Sequence, residues 1–279
     1  MVYFNDKKHE YFNDAGNKYL SVTTFIKQFK NAYDEEYWLT YKAIEAILNG
    51  LKIDPKTGKY AKMPGFYKTY GHIESAEGLM FILGEHQTGL FNEIKAKLKD
   101  GWKDNALTAT DFGTAYHKMH EDTDLKNGES LNYYDMTLYK VIPNDPCIYD
   151  NCSQSTFREG CYLELLIYNN AAMIAGQSDK IFFVGDNKFD VADFKTNGKL
   201  EMTSFKNRKM LPPFEELDDC TYNHYAIQLG IYAYMLELQG FECRSLIIYH
   251  YDTAYQLKYY KNLIDKAFQL RRLDVSLPY

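Results

Sequence analysis

Asp179, Asp193 and Lys195 are the residues whose types and spacing could do chemistry. They lie in one stretch, 176–196, that reads as two strands and a turn. Residues 181–184 are short and apolar, Gly185-Asp186-Asn187 tolerate positive φ, and 189–195 resume an alternating pattern. Phe189, Val191 and Phe194 are expected on one face of that second strand, Asp190 and Asp193 on the other. Asp179 stands just before the first strand, and Asp193 and Lys195 end the second. Side chains two apart on a strand share a face, and the hairpin returns Asp193 to the neighbourhood of Asp179. Two carboxylates meeting there could hold a hard divalent cation, and the lysine could orient or deprotonate a water. The same residues also suit a surface hairpin with an Asp–Lys pair, so the rest of the chain has to decide.

The elements that position this stretch can be taken in order. Residues 2–20 read as a hairpin with its turn at Asp14-Ala15-Gly16-Asn17. Ser21 then caps a helix with Thr23 in its first turn; the backbone amides there could bind a phosphate, although capping alone explains both residues. The helix pauses near Asn31 and restarts at Asp34-Glu35-Glu36, running to Leu48. Residues 51–71 read as a long loop and 72–100 as helical, with Gly84 and Gly89 weakening the middle. A second helix over about 108–126 carries Gly113, Thr114, His117 and Glu121. Gly113 in a helix interior signals close approach of another backbone, and His117 and Glu121 share a face. His120, three residues after His117, need not share its surroundings. Residues 127–160 look loop-rich, 161–168 form a strand with Glu164, and a helix over 223–239 carries Gln228 and Tyr232. Strands over 244–251 and 254–260 and a helix over 261–273 follow. That order predicts an α/β core with a mixed sheet over 108–279, preceded over 1–107 by a hairpin and a mostly helical lobe.

Composition narrows the classes. The chain has 279 residues, 46% hydrophobic and 25% charged, ordinary for a globular protein. A net charge of −6 argues against a simple cationic coat for nucleic acid, but not against an enzyme whose metal site needs carboxylates. Lys195, Lys199, Lys206, Arg208 and Lys209 form a local basic run that could meet a backbone or be a solvated loop. The 26 tyrosines suit wet binding surfaces, including stacking surfaces for bases. Five cysteines, at 147, 152, 161, 220 and 243, match no zinc ribbon or iron–sulfur spacing. Their odd number and the absence of a signal-peptide pattern suggest reduced thiols in a cytoplasmic setting, and no apolar run approaches membrane-spanning length.

The motifs in order are Gly113-Thr114-x-x-His117 on a helix, Glu164 in a strand, Gly176-x-x-Asp179, Asp193-x-Lys195-Thr196, and Gln228-x-x-x-Tyr232 on a helix. Together they resemble the RecB-type branch of the PD-(D/E)XK nuclease superfamily. The Ser21–Ile26 segment after a hairpin is similar to phage-encoded members and to the mitochondrial genome maintenance exonuclease. The resemblance covers roughly 108–260 and implies a restriction-endonuclease-like core, a mixed central sheet flanked by helices. It implies that His117, Asp179, Asp193 and the Phe194 carbonyl ligate Mg²⁺ or Mn²⁺. Glu164 would be a second-metal ligand or a partner of the ligands. Lys195 would position the attacking water. Gln228, Tyr232, Thr196 and Thr114, with Ser21, Thr23 and Lys206, would meet the substrate. No closely spaced cysteine group is present, so no iron–sulfur cluster is expected, and no helicase motif accompanies the set.

The expected activity is therefore a metal-dependent deoxyribonuclease, an exonuclease on single-stranded DNA ends. It would belong to phage or bacterial replication, recombination or repair, beside other proteins of those pathways, with no membrane partner. A structure-specific endonuclease, a non-cleaving DNA-binding accessory protein and a decoy of host defence are the alternatives.

Overall fold

Two strands rich in β-branched, aromatic and leucine side chains, β6 (Gly160–Asn169) and β7 (Ile174–Phe183), pair antiparallel along their whole length. The computed structural model describes residues 2–5, 7–83, 87–143, 157–251 and 253–276. Cys147, Cys152, Gly84, His86 and most of the second half of the expected 127–160 loop lie outside the described residues. From β7 the chain turns into β8 (Lys188–Lys195) through Gly185, Asp186 and Asn187, whose φ values of 89°, 50° and 60° are the left-handed ones that Gly and Asn favour. Helix α6 (Thr221–Glu237) then crosses over, and β9 (Glu242–His250) pairs parallel with β8; β10 (Thr253–Leu257) returns antiparallel. At the opposite edge, β1 (Val2–Asn5), β2 (Glu10–Asn13) and β3 (Lys18–Ser21) form a meander. Its last strand pairs parallel with the start of β7, Leu20 opposite Ile174 and Ser21 opposite Ala175. The result is an α/β architecture with a mixed, eight-stranded central sheet flanked by helices.

Each sheet face has its own core. Under α6, Ile181, Phe183, Phe189, Val191, Leu246 and Ile248 pack with α1 (Val22–Lys27) and α7 (Lys261–Ser276). Helix α6 is apolar on nearly every side, as befits an element sandwiched between sheet and helices. On the other face, Phe182, Ala192, Phe194, Ile247 and Tyr249 pack with Tyr116 of α5 (Thr88–Asn127) and Tyr139 of the hairpin β4 (Glu129–Asn132)–β5 (Thr137–Lys140). The fully buried Asp190 pins that hairpin to the sheet. Its carboxylate accepts from Asn132 Nδ2 at 2.8 Å, Arg244 Nε at 2.9 Å and the Ser245 hydroxyl, and Arg244 reaches on to Asp135 at 2.6 Å.

The chain divides into two units, one of residues 1–31 and 112–279, the other of 32–111. The expected boundary at 107/108 is corrected in both places. The amino-terminal hairpin and α1 belong with the large unit, because β3 extends the sheet and Val22, Phe25 and Ile26 are buried in the α6 core. The smaller unit holds α2 (Glu35–Leu48), α3 (Phe66–Tyr70), α4 (Ala76–Met80) and the first part of α5 around Tyr41, Ile44, Phe66, Leu79, Phe91 and Ile94. Asp34 and Ser75 cap α2 and α4 by accepting from the Tyr37 and Gly78 amides at 2.8 and 3.0 Å. The two helices expected over 72–126 are instead short α4 and one 40-residue α5. Gly89, Gly101 and Gly113 do not interrupt α5, since a helical glycine costs only about 1 kcal/mol and no proline intervenes. The expected loop over 127–160 contains the β4–β5 hairpin. Among the described residues, no helix is long and apolar enough to cross a membrane.

Two stability outcomes follow from this packing. A Cβ on Gly176 would lie 2.8 Å from Tyr232 Cε1 and 2.9 Å from Val22 Cγ2, both in the core. Gly176→Val should lower unfolding free energy by about 1–3 kcal/mol in urea titration. Arg244→Ala removes the cation facing buried Asp190 and should cost about 3–5 kcal/mol by the same measurement. An unchanged midpoint for either variant contradicts the packing described.

Candidate metal centre

The centre forms where the sheet loses its regularity. Strands β6 and β7 keep one register, Leu163 opposite Lys180 and Leu165 opposite Ser178. Between those pairs sit Glu164, with φ 49°, and Asp179. Leu163 packs on the α5 face whereas Leu165 packs under α6. Ile174 and Ile181, an odd number of residues apart, both pack under α6. Both strands therefore change faces at the Glu164/Asp179 position, a local irregularity of the kind that re-aims side chains. This corrects the expectation that Asp179 precedes the strand: it lies inside β7, where alternation restarts.

On its other edge, β7 pairs with β3 as far as Ala175 and with β8 only from Lys180 onward. Residues 176–179 face the gap where β3 and β8 part. Asp179 occupies that gap: its Oδ2 accepts the Phe194 backbone N–H at 2.7 Å, a carboxylate standing where a ladder carbonyl would otherwise be. A strand residue's N–H and C=O leave on the same edge, so the Phe194 carbonyl also leaves β8 on the Asp179 side. Asp193 and Lys195 share the face of Val191, and Phe194 takes the opposite face with Ala192. The expected grouping of Phe194 with Phe189 and Val191 is thereby corrected; strict alternation puts 189, 191, 193 and 195 together.

His117 reaches the same point from α5, its Nδ1 3.0 Å from Asp179 Oδ2. Gly113 is one turn earlier, and a Cβ there would stand 3.3 Å from Thr196 Oγ1, so the glycine lets the helix approach the end of β8. One ligand atom from each of His117, Asp179 and Asp193 lies within 4.8 Å of the others. Lys195 Nζ is 2.7 Å from Asp193 Oδ1 and 5.0 Å from the centre of the Tyr225 ring.

Electrostatics mark this as an uncomfortable place for an uncompensated charge. Burial, then the neighbouring Asp179 charge, pushes the Asp193 carboxyl up to about 7. Burial, then the charges of Asp179, Glu121 and Asp193, does the same to Glu164, also to about 7. Burial acts to raise Asp179 too, but the hydrogen bond and charge of His117, with Lys195 and the Phe194 amide, hold it below its ordinary value. Burial would lower Lys195, yet Asp193 and Asp179 raise it, so its ammonium stays protonated. The carboxyls of Asp179 and Asp193 with the His117 imidazole make an oxygen-rich donor set that suits a divalent cation, and the imidazole favours Mn²⁺ over Mg²⁺.

The remaining expected site residues are placed differently. Tyr232 is buried, 2% exposed, against Gly176 and hydrogen-bonded to half-buried Gln228. It supports the cluster from within the core and does not line an open path, which corrects its expected role. Ser21 Oγ caps α1 by accepting from Thr24 N at 3.1 Å, and Thr23 Oγ1 lies 3.1 Å from it, so capping accounts for both. The Thr196 carbonyl accepts from the Tyr251 hydroxyl at 2.7 Å, and Thr114 is exposed on α5. Lys206 is in the loop after β8 with its ammonium 5.9 Å from the Phe205 ring centre, and Lys209 pairs with Asp218 at 2.7 Å. Tyr225 beside Lys195 was not singled out from sequence; its place one turn before Gln228 on the same helix was the available signal.

The pH dependence follows from the raised carboxyls. In the metal-free fold Asp193 and Glu164 hold protons more tightly than in the unfolded chain. The stability they contribute is present at low pH and lost as pH rises through about 7. A cation takes the place of those protons. The rise in melting temperature with added Mn²⁺ should be larger at pH 8 than at pH 6 and absent in Asp193→Asn. Equal shifts at both pH values, or in that variant, contradict the assignment. No family model and no curated protein matches this sequence, so geometry and chemistry carry the reading of the site.

Proposed function

We propose that this chain is a metal-dependent nuclease with a restriction-endonuclease-like core, hydrolysing phosphodiester bonds at single-stranded DNA ends. One observation carries the reading: ligand atoms of His117, Asp179 and Asp193 converge within 4.8 Å, with the Lys195 ammonium 2.7 Å from Asp193. The succession of β6, β7 and β8, the α6 crossover and parallel β9 supports the fold assignment. The choice of DNA and of strand ends rests on the likeness of the five motifs to RecB-type nucleases.

Phosphodiester hydrolysis needs a positioned water, neutralisation of phosphate charge and stabilisation of the leaving oxygen. A bound Mg²⁺ or Mn²⁺ supplies Lewis acidity and lowers the pKa of a coordinated water. His117, Asp179 and Asp193 would hold it, with the Phe194 carbonyl directed to the same side of β8; Glu164, a neighbour on β6, is not among the converging ligand atoms. Lys195, kept protonated by the two aspartates, acts as a donor that orients the water and offsets phosphate charge; it is not the base at neutral pH. Glu164, raised to about 7, is the carboxyl poised to exchange a proton near neutrality. On this reading the protein works on DNA in the cytoplasm of a host cell during replication, recombination or repair.

The test is digestion of end-labelled linear single-stranded DNA with Mg²⁺, Mn²⁺ or EDTA. Asp179→Asn, Asp193→Asn and Lys195→Ala should each reduce cleavage at least about a hundredfold. Asparagine at 179 can still accept the Phe194 amide, so a loss there reports chemistry and not folding. Circular single-stranded DNA should survive. Its cleavage would convert the reading to an endonuclease, and binding without cleavage under every metal would convert it to an accessory module.

A further inference from the structure

The opposite face of β8 holds a pocket that the cleavage chemistry does not use. It encloses about 380 Å³ and is lined chiefly by rings: Tyr116 and His120 from α5, Phe194, Tyr249, Tyr133 and Tyr251. Phe194 and Tyr249 are 3% and 2% exposed and form its floor, while Tyr133 and Tyr251, at 45% and 43%, stand at its rim. The floor is held from behind. Buried Lys180 sits 4.8 Å from the centre of the Phe194 ring and is fixed by Asp124 at 2.5 Å and Ser130 at 3.0 Å. His120 already stacks on Phe194, with centroids 4.1 Å apart and planes 17° apart, and Tyr133 meets Tyr249 edge-on at 4.9 Å.

The position is as informative as the lining. Phe194 lies between Asp193 and Lys195, and its own amide is the one that Asp179 accepts. Strand β8 ends at Lys195, and the Tyr251 hydroxyl closes onto the Thr196 carbonyl just beyond. A chain crossing the end of β8 therefore passes from the carboxylate face to the aromatic face within a residue or two. On the nuclease reading, the nucleotide beside a phosphodiester held at Lys195 would be the one to meet these rings.

We propose that this pocket is a base subsite, in which a nucleobase next to the scissile phosphate stacks among Tyr133, Tyr251 and the Phe194–His120 pair. Every base has a π-face, and base–aromatic stacking tolerates sequence, as an enzyme consuming a strand end requires. The volume suits a nucleoside-sized ligand. Burial first, then the Lys180 charge, holds His120 below its ordinary value. Its imidazole adds a flat face for stacking and a ring nitrogen able to meet a base edge. The subsite deepens the nuclease reading and rests on it for the identity of the ligand.

The test separates the two. A single strand carrying the fluorescent base 2-aminopurine at successive positions from its end is titrated with protein in Ca²⁺, and stacking is read as quenching. Wild type should quench at one position near the end, Tyr133→Ala should lose the quenching, and Tyr133→Phe should restore it. In cleavage assays Tyr133→Ala should raise KM about tenfold with kcat little changed, and an abasic nucleotide at the same position should erase the difference from wild type. Cleavage by wild type with quenching insensitive to Tyr133→Ala, or with intact and abasic strands cut alike, overturns the subsite and leaves the nuclease reading standing. Tyr133-dependent quenching without cleavage supports the subsite and removes the nuclease reading. A strand that does not bind at all overturns both.

Discussion

The hydrogen bond from the Phe194 amide to the Asp179 carboxylate is the contact on which the centre depends. It forms because β7 changes partners: β3 holds its first residues and β8 its last, and the stretch between has an open edge. A backbone N–H left unpaired in this buried region would cost about 1–3 kcal/mol. Asp179 satisfies it with a charged acceptor. One interaction thus closes the fork in the sheet, fixes the Asp179 side chain and holds the end of β8, from which Asp193 and Lys195 project.

The double change of face at Glu164 and Asp179 explains how a strand interior can deliver a carboxylate to the centre. A regular ladder would send alternate side chains into one core or the other. Here both strands slip a half-step together without losing register, so two acids are freed from the alternation that buries their neighbours. The positive φ of Glu164 is the local strain that accompanies this arrangement. The cost is also electrostatic: burial and the neighbouring acids hold the Asp193 and Glu164 carboxyls above their ordinary range.

Helix α5 ties the two faces of β8 together. Within five residues it places Tyr116 and His120 against Phe194 on the aromatic side and His117 against Asp179 on the acidic side. Gly113 permits the close approach that makes this possible. The Asp190–Arg244–Asp135 network then secures the β4–β5 hairpin, whose Tyr133 completes the pocket wall. The two buried aspartates of β8 play different parts. Asp190 anchors an element through three donors, whereas Asp193 is held by Lys195 and keeps its carboxylate for the centre.

Part of the layout of the site was legible in sequence because it depends on residue type and short spacing. Asp193 and Lys195 share a face by the two-residue period of a strand, Gly185-Asp186-Asn187 could only be a turn, and Gly113 announced a close contact. These are local properties, set by sterics within a few residues. Tertiary structure alone decided the rest. The parity of Phe194 and the place of Asp179 inside β7 depend on a paired irregularity that no single strand reveals. The amino-terminal hairpin joins the large unit because of one parallel pairing with a strand about 150 residues away. Tyr232, four residues from Gln228, is buried because Gly176 from β7 makes room for its ring. The aromatic pocket draws rings from α5, the β4–β5 hairpin, β8, β9 and the turn after β9. Long-range pairing chooses among faces that local periodicity leaves equivalent, and that choice placed both the acids and the rings.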